Sequence, residues 1–412
     1  MKYSHGVKAS YFVRKRIRFI PPWRFLLLVT LFACTTQPTL LEASVEPQPQ
    51  RTTSSTFTLT SPSYPLPSTQ PNPTQTHPIL TAPNAGLTPT PWQATSTATP
   101  IIIETLPAFT TSILRSGVLP QSYITDTCKY LRLRWTPTNS LPGTVVVPIF
   151  FHAIRPTGEE LYDPSFISAD QFQAIINRAV QLGFKTITTA QLLDFLTKNA
   201  RIPSRSMLLI LDDRRPGTLE EYFIPVAEKY NWTITLGWII ADTRPSLWTR
   251  MENLAATGYL DVQSHGYWHY YITETTPEET IREELFNPIP VLEAHFGTRP
   301  IAIIWPGGNF TQLAVRIARE AEYELGFSTH SRGPLMFNWI PLGEAERNIQ
   351  DSLMVLPRFW STSAILNLEQ AANINQTAYS FALSNYQNEA SWYRTYCGGE
   401  LPIQSSEIHE FK

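Results

Sequence analysis

The sequence predicts an α/β domain, a distorted barrel of seven or eight parallel βα units, preceded by a disordered stalk. Three observations predict it. Short apolar runs recur without the polar–apolar alternation of a half-exposed strand, as expected of parallel strands buried on both faces. Most are followed by a stretch with apolar residues at helical spacing. The composition supplies the third: only 16% of the 412 residues are charged and 35 are Pro, yet the hydrophobic share is an ordinary 42%. Background Pro usage is roughly 5%, so a globular body is diluted by an uncharged, Pro-rich segment. The same figures exclude a wholly disordered chain, a collagen, a coiled coil and a disulfide-dense miniprotein.

The chain begins with Lys2, Lys8, Arg14, Lys15, Arg16, Arg18 and Arg24, all ahead of the first acidic residue, Glu42. An apolar run from Phe25 to Cys34 follows. It has about half of the roughly 20 residues that a membrane-spanning helix needs, and it fits the apolar core of an export signal. Leu31-Phe32-Ala33-Cys34 resembles the lipobox of bacterial lipoproteins, although Phe32 stands where a small residue is usual. That resemblance implies lipidation of Cys34 and a place on the outer face of the cytoplasmic membrane or the cell surface. A plain signal peptide and an uncleaved anchor are the other readings. Residues 1–34 are thus expected to be the signal, 35–124 a linker and 125–412 the folded domain.

Pro, Ser and Thr dominate from Thr35 to Pro100, where only Glu42, Glu46 and Arg51 are charged. Such a segment buries too little apolar surface to offset its ordering entropy, and its prolines favour extended stretches. It is expected to be a stalk that lifts the domain off the membrane, with Ser/Thr-Pro content suited to O-glycosylation. With the basic start set aside, the remaining body is acidic and a poor partner for polyanions, so nucleic acid is disfavoured. Of the three cysteines, Cys128 and Cys397 remain as a pair if Cys34 is lipidated. Outside the cytosol they would staple the two ends of the domain; two separate buried thiols are the alternative.

The folded region opens with the apolar strand 145–151, then a helix over 169–182 that Gly183 stops. A short strand at 186–188, a helix from Ala190, a strand at 207–211 and a helix over 219–230 follow. Further strands are expected at 233–240, 261–263, 301–305 and 326–329. In a barrel of this kind the site lies at the C-terminal strand ends, and the polar clusters fall there.

The first cluster is Leu211-Asp212-Asp213-Arg214-Arg215. Adjacent carboxylates ending a buried strand disfavour joint ionisation unless a cation neutralises them. A metal ion or the two arginines would do so; a turn or helix-cap pair before Pro216-Gly217 is the plainer reading. The second is Ser264-His265-Gly266-Tyr267-Trp268-His269, whose imidazoles at i and i+4 can reach one ion. Together the clusters have the composition of a catalytic zinc site: His, His and a carboxylate, with a position open to water.

These residues resemble the polysaccharide deacetylase family, carbohydrate esterase family 4, from about Val145 to Phe359. The opening strand runs Val147-Pro148-Ile149-Phe150-Phe151-His152, like the family's strand ending in Tyr-His. Asp212-Asp213 is similar to the family's Thr-Phe-Asp-Asp-Gly, and Ser264 to His269 to its His-Ser/Thr-x-x-His. Trp305-Pro306-Gly307-Gly308, Leu325-Gly326-Phe327 and Leu356-Pro357-Arg358-Phe359 resemble later stretches. The resemblance implies a metal-dependent hydrolase that removes N-acetyl groups from an amino-sugar polysaccharide. Asp213, His265 and His269 would bind a divalent metal, most often zinc, with Asp212 as general base. Trp305 and the turn Pro306, Gly307 and Gly308 are the candidate substrate contacts, the turn because Gly lacks a Cβ and lets backbone approach closely; a plain β-turn is the other reading.

Three positions depart from the family. Arg214 stands in place of Gly, Ile304 in place of an Arg that often pairs with the base, and no late Leu-x-His motif holds the general acid. Arg358 or Arg214 is expected to supply the missing positive partner. His330 is the candidate acid, a solvent-facing loop histidine being the plainer reading; His152 either lines the same mouth or has a packed or hydrogen-bonded structural role. Aromatic residues Tyr267, Trp268, Tyr270, Tyr271, Trp305 and Trp360 suit either stacking on sugar rings or ordinary packing. A non-catalytic glycan-binding member of the fold and an amidohydrolase acting on another C–N amide are the alternative functions.

Overall fold

The computed structural model describes residues 105–402. The expected signal, Cys34 and the linker up to residue 104 lie outside the described residues. A nine-stranded sheet organises the domain. Its parallel strands are β1 (Val145–Phe151), β2 (Lys185–Thr186), β3 (Arg205–Asp212), β4 (Ile234–Trp238), β5 (Leu260–Ser264), β6 (Ala302–Ile304), β7 (Leu325–Phe327) and β8 (Phe359–Trp360). The path runs β7-β6-β5-β4-β3-β1 and ends on the short antiparallel strand Leu335–Met336, with β2 beside β3 and β8 beside β1.

The apolar runs form strands because both sheet faces are covered. Every residue of β1 is buried. Val145, Val147, Ile149 and Phe151 face one core, while Val146 and Phe150 face another. Helices α1 (Thr127–Arg134), α2 (Ala169–Gln181), α3 (Thr189–Lys198), α4 (Ile224–Tyr230), α5 (Pro245–Ala255), α6 (Glu278–Phe286), α7 (Pro288–Phe296), α8 (Gln312–Glu320) and α9 (Ala364–Cys397) complete the domain. Local chemistry sets several boundaries. Ser168 with Gln171, and Thr188 with Gln191, form capping boxes at the starts of α2 and α3, each satisfying backbone N–H groups that the first turn leaves unpaired. Thr188 is therefore a helix cap rather than the end of the expected strand 186–188, and β2 stops at Thr186.

The sheet curls until its distant strands meet on one segment. β8 pairs with β1 through Phe359 and Trp360 opposite Ile149 and Phe150. A few residues earlier, Leu356 donates its N–H to Gly326 O at 2.7 Å and accepts from Ser328 N at 2.9 Å. Residues 356–360 thus bridge β7 to β1 and close the barrel.

Two regions differ from expectation. Residues 105–124, expected as the end of the linker, pack onto the domain. Phe109 meets Trp339 and Phe381, the strand Leu119–Gln121 pairs with Ile340–Leu342, and Tyr123 donates its hydroxyl to Leu196 O at 2.7 Å. The apolar residues of this stretch are spaced too irregularly to announce an element, and Phe109 and the short strand find partners only far along the chain. Helix α9 was not anticipated either. Its long polar sequence crosses the N-terminal ends of β1 and β3, where Asn375 Oδ1 accepts from Arg205 Nε at 3.0 Å. A disulfide joins Cys397, its last residue, to Cys128 on α1.

Candidate active site

The strand register brings five C-terminal ends to one rim. Phe151 lies opposite Leu211, Asp212 opposite Gly237, Trp238 opposite Ser264, and Ser264 opposite Ile303. The residues that follow these strands are His152, Asp213, Ile239, His265 and Trp305.

Asp212 is the last residue of β3 and is 1% exposed. Its neutralising partner is Arg358, from the closing segment: Arg358 Nη1 lies 2.9 Å from Oδ1 and 2.8 Å from Oδ2. The guanidinium is itself wholly buried, donates from Nε to Ser328 O at 2.9 Å and lies over the Phe150 ring. Burial alone would raise the Asp212 carboxyl, but Arg358, then His265 and His152, outweigh it and hold the group below the usual carboxylate range. Of the two arginines expected as partners, Arg358 takes the role. Arg214 turns away and donates to Ala241 O.

Asp213 follows with φ 68°, a left-handed conformation uncommon for a non-glycine residue. The reversal separates the roles of the adjacent carboxylates: Asp212 faces Arg358, while Asp213 Oδ1 lies 3.7 Å from His265 Nε2 and 3.9 Å from His269 Nε2. The two Nε2 atoms are 3.1 Å apart. His265 continues from β5, its N–H donating to Trp238 O, and its Nδ1 bonds Ile304 O at 2.7 Å. That bond makes Nδ1 the donor and leaves the Nε2 lone pair facing the cluster. His269 also has positive φ, 69°. Its imidazole is held neutral at ordinary pH because burial and then the neighbouring His265 push its pKa down.

One carboxylate oxygen and two imidazole nitrogens therefore lie within 4.8 Å of one another. This donor set, two imidazoles and one carboxylate, fits a divalent ion of the zinc type. Iron-type and copper-type ions accept similar donors, so the set names the charge class rather than the element.

Two residues that the sequence did not single out make the arrangement possible. Gly237 lies between the two motifs; a Cβ there would stand 2.9 Å from Ile304 Cδ1 and 3.2 Å from Asp212 Oδ1. Glu284, fully buried on α6, accepts the backbone N–H of Trp268 at 2.8 Å and of Tyr270 at 2.9 Å. Neither carries a sequence signal: one is a small residue inside a strand, the other a glutamate in a helix with several.

The third motif divides. Trp305 is wholly buried and donates its indole N–H to Met354 O at 2.8 Å, so it is a core residue and not a sugar platform. A strand-end tryptophan can face inward or outward, and the sequence pattern does not say which. Pro306-Gly307-Gly308 forms a 3-10 turn with positive φ at both glycines. Pro306 and Gly308 are buried against the body, whereas Gly307 is exposed beside the Tyr271 ring. Tyr271 also meets His269 edge-on, placing the turn next to the cluster. Trp268, Tyr270, Tyr271 and Trp360 are exposed around the mouth.

The expected acid, His330, is mostly exposed and bonds Glu346 through Nδ1 at 3.0 Å. The third imidazole among the carboxylates is instead His152. Burial lowers its pKa, while Asp212 and Asp213 pull the other way. The ring is stacked near Trp360, and its buried Nδ1 has no hydrogen-bond partner among the described residues.

Residues 199–326 match the sequence model of the polysaccharide deacetylase family. The match contains Asp212, Asp213, His265, His269 and the Pro306 turn, and leaves out His152 and Arg358. Similar solved structures include the Streptococcus pyogenes deacetylase PplD in complex with acetate, 18% identical with TM-score 0.45, covering 56% of this chain and 99% of that one. A de-N-acetylase from Aggregatibacter actinomycetemcomitans is 14% identical with TM-score 0.44, covering 54% and 99%. IcaB from Ammonifex degensii is 19% identical with TM-score 0.44, covering 57% and 99%. No curated protein matches the chain.

Proposed function

We propose that this chain is a metal-dependent hydrolase that removes N-acetyl groups from a cell-surface or extracellular amino-sugar polysaccharide. One observation carries the reading: inside the segment that matches the deacetylase family, Asp213, His265 and His269 converge within reach of one ion beside the buried, Arg358-paired carboxylate of Asp212. A divalent ion held by those three residues, zinc in our reading, would polarise the acetamide carbonyl and acidify water at neutral pH.

The chain's own groups supply the proton transfers. Asp212, kept ionised by Arg358, takes a proton as water adds to the carbonyl carbon. The carbon–nitrogen bond then breaks and the departing amine takes up a proton, giving acetate and a free amino sugar. His152 is the group we assign to that second transfer, because it is the imidazole beside Asp212 and Asp213 that has an unpartnered nitrogen. Gly307, and the exposed rings of Trp268, Tyr270 and Tyr271, offer a surface on which sugar rings can stack.

Export is part of the same proposal. The basic start, the apolar run to Cys34 and the Pro-rich stretch after it support a lipid-anchored enzyme on a stalk, and the Cys128–Cys397 disulfide suits an oxidising compartment. Labelling with a tagged fatty acid, lost in Cys34→Ser, tests the anchor.

The activity is tested by acetate release from N-acetylglucosamine polymers and from peptidoglycan, with and without chelator, for wild type and Asp212→Asn. Chelator-sensitive release that is abolished in Asp212→Asn is expected. Absence of release from folded, metal-loaded protein would favour the non-catalytic glycan-binding reading.

A further inference from the structure

We propose that Glu284 is the positioning residue of the histidine loop, fixing from a neighbouring helix the backbone that aims His269 at the metal position. The proposal rests on the reading of Asp213, His265 and His269 as metal ligands. His269 must hold a left-handed backbone, φ 69°, which for a non-glycine residue is strained and persists only where surroundings impose it. The imposition comes from the two peptide groups that flank it. Trp268 N–H and Tyr270 N–H point to the two oxygens of the Glu284 carboxylate, at 2.8 Å and 2.9 Å. One rigid group spanning both amides leaves the intervening residue little freedom in φ and ψ.

The loop's own side chains provide little of this hold. Ser264 Oγ accepts only the Gly266 N–H, at 3.3 Å. The structure gives a reason for glycine at position 266. A Cβ at this position would lie 2.1 Å from Glu284 Oε1, and φ is 81°. The space that a loop side chain would fill is occupied by the carboxylate from α6. A buried carboxyl group is costly unless hydrogen-bonded, and here each oxygen accepts one backbone N–H of the loop. The one buried acid of this Glu-rich helix thus has its counterpart in the loop and not in its own element.

The test compares wild type with Glu284→Ala, Glu284→Gln and Glu283→Ala, a removal of the exposed neighbouring carboxylate on the same helix. Hydrogen exchange at the Trp268 and Tyr270 amides and thermal melting are measured on metal-free protein; zinc affinity is measured by competition with a chromogenic chelator. Glu284→Ala is expected to stay folded, exchange faster at those two amides and bind zinc about 10- to 100-fold more weakly, the range found when groups orienting a metal ligand are removed. Glu284→Gln falls between, since its amide oxygen accepts one N–H while its NH2 group confronts the other; Glu283→Ala matches wild type. A folded Glu284→Ala with wild-type zinc affinity and wild-type exchange overturns the proposal. If Glu284→Ala does not fold, wild-type exchange and affinity in Glu284→Gln overturn it instead. Wild-type protein that binds no zinc would sink the metal reading alone; the exchange comparison on metal-free protein would still decide the role of Glu284.

Discussion

Replacing Arg358 with Met removes the charge that faces Asp212 while filling most of its volume. Both groups are buried, at 0% and 1% exposure, so solvent cannot compensate. At about 4 Å between charge centres and an effective dielectric of about 20, the attraction is worth about 4 kcal/mol. Arg358 is the largest of the groups that hold the Asp212 carboxyl down against its burial, so its loss lets burial push that carboxyl up. The sign follows: the base becomes protonated at higher pH, and the acidic limb of the kcat/KM profile for acetate release moves to higher pH. Stability moves in step. In wild type the folded carboxyl titrates below its unfolded value of 3.8, so its contribution is complete above that pH and is lost as pH falls through the folded value. The variant should therefore melt earlier than wild type at neutral pH, by an amount equivalent to about 3–5 kcal/mol, with the gap narrowing in acid. Folded Arg358→Met with an unmoved acidic limb would refute the reasoning, because Asp212 would then owe its ionisation to something other than Arg358.

Three further outcomes are expected. His152→Ala should lower kcat about 10²- to 10⁴-fold, the usual contribution of a positioned acid or base, with zinc affinity unchanged, whereas His330→Ala should stay near wild type; the reverse pattern in steady-state kinetics would return the acid role to His330. Gly237→Ala should lower kcat/KM about tenfold or more at a stability cost of about 1–3 kcal/mol, because its methyl group would press on Ile304 and Asp212; full activity would show that the β4 contact is slack. Cys128→Ser, which opens a disulfide spanning 269 residues, should lose about 2–5 kcal/mol; equal melting temperatures with and without reductant in wild type would argue against that contribution.

The parts of the fold legible in the sequence are those where one segment carries its own signal. β1 and β3 are continuous apolar runs because both their faces are covered, and the 3.6-residue spacing of α2 reports its single buried face. Asp212-Asp213 and His265 with His269 were legible for a related reason: strand ends in a parallel barrel share a rim, so polar residues just after apolar runs converge. Arg358 could be named only as one of two candidates, since its contact with Asp212 joins residues 146 apart and no local pattern encodes it. Glu284 and Gly237 were invisible, as their importance lies entirely in what stands opposite them. Trp305 was misassigned because the direction of a side chain after the last ladder bond depends on the turn that follows. Residues 105–124 read as linker because composition averages over a stretch in which a few side chains, Phe109 and Tyr123 among them, make the contacts.

The segment that shuts the barrel is also the one that bears Arg358. Asp212 therefore gains its guanidinium partner only when residues 356–360 have docked between the two edges of the sheet. Closing the barrel and neutralising its buried carboxylate are one event, and local peeling of that segment would expose an unpaired carboxylate before the rest of the fold opened.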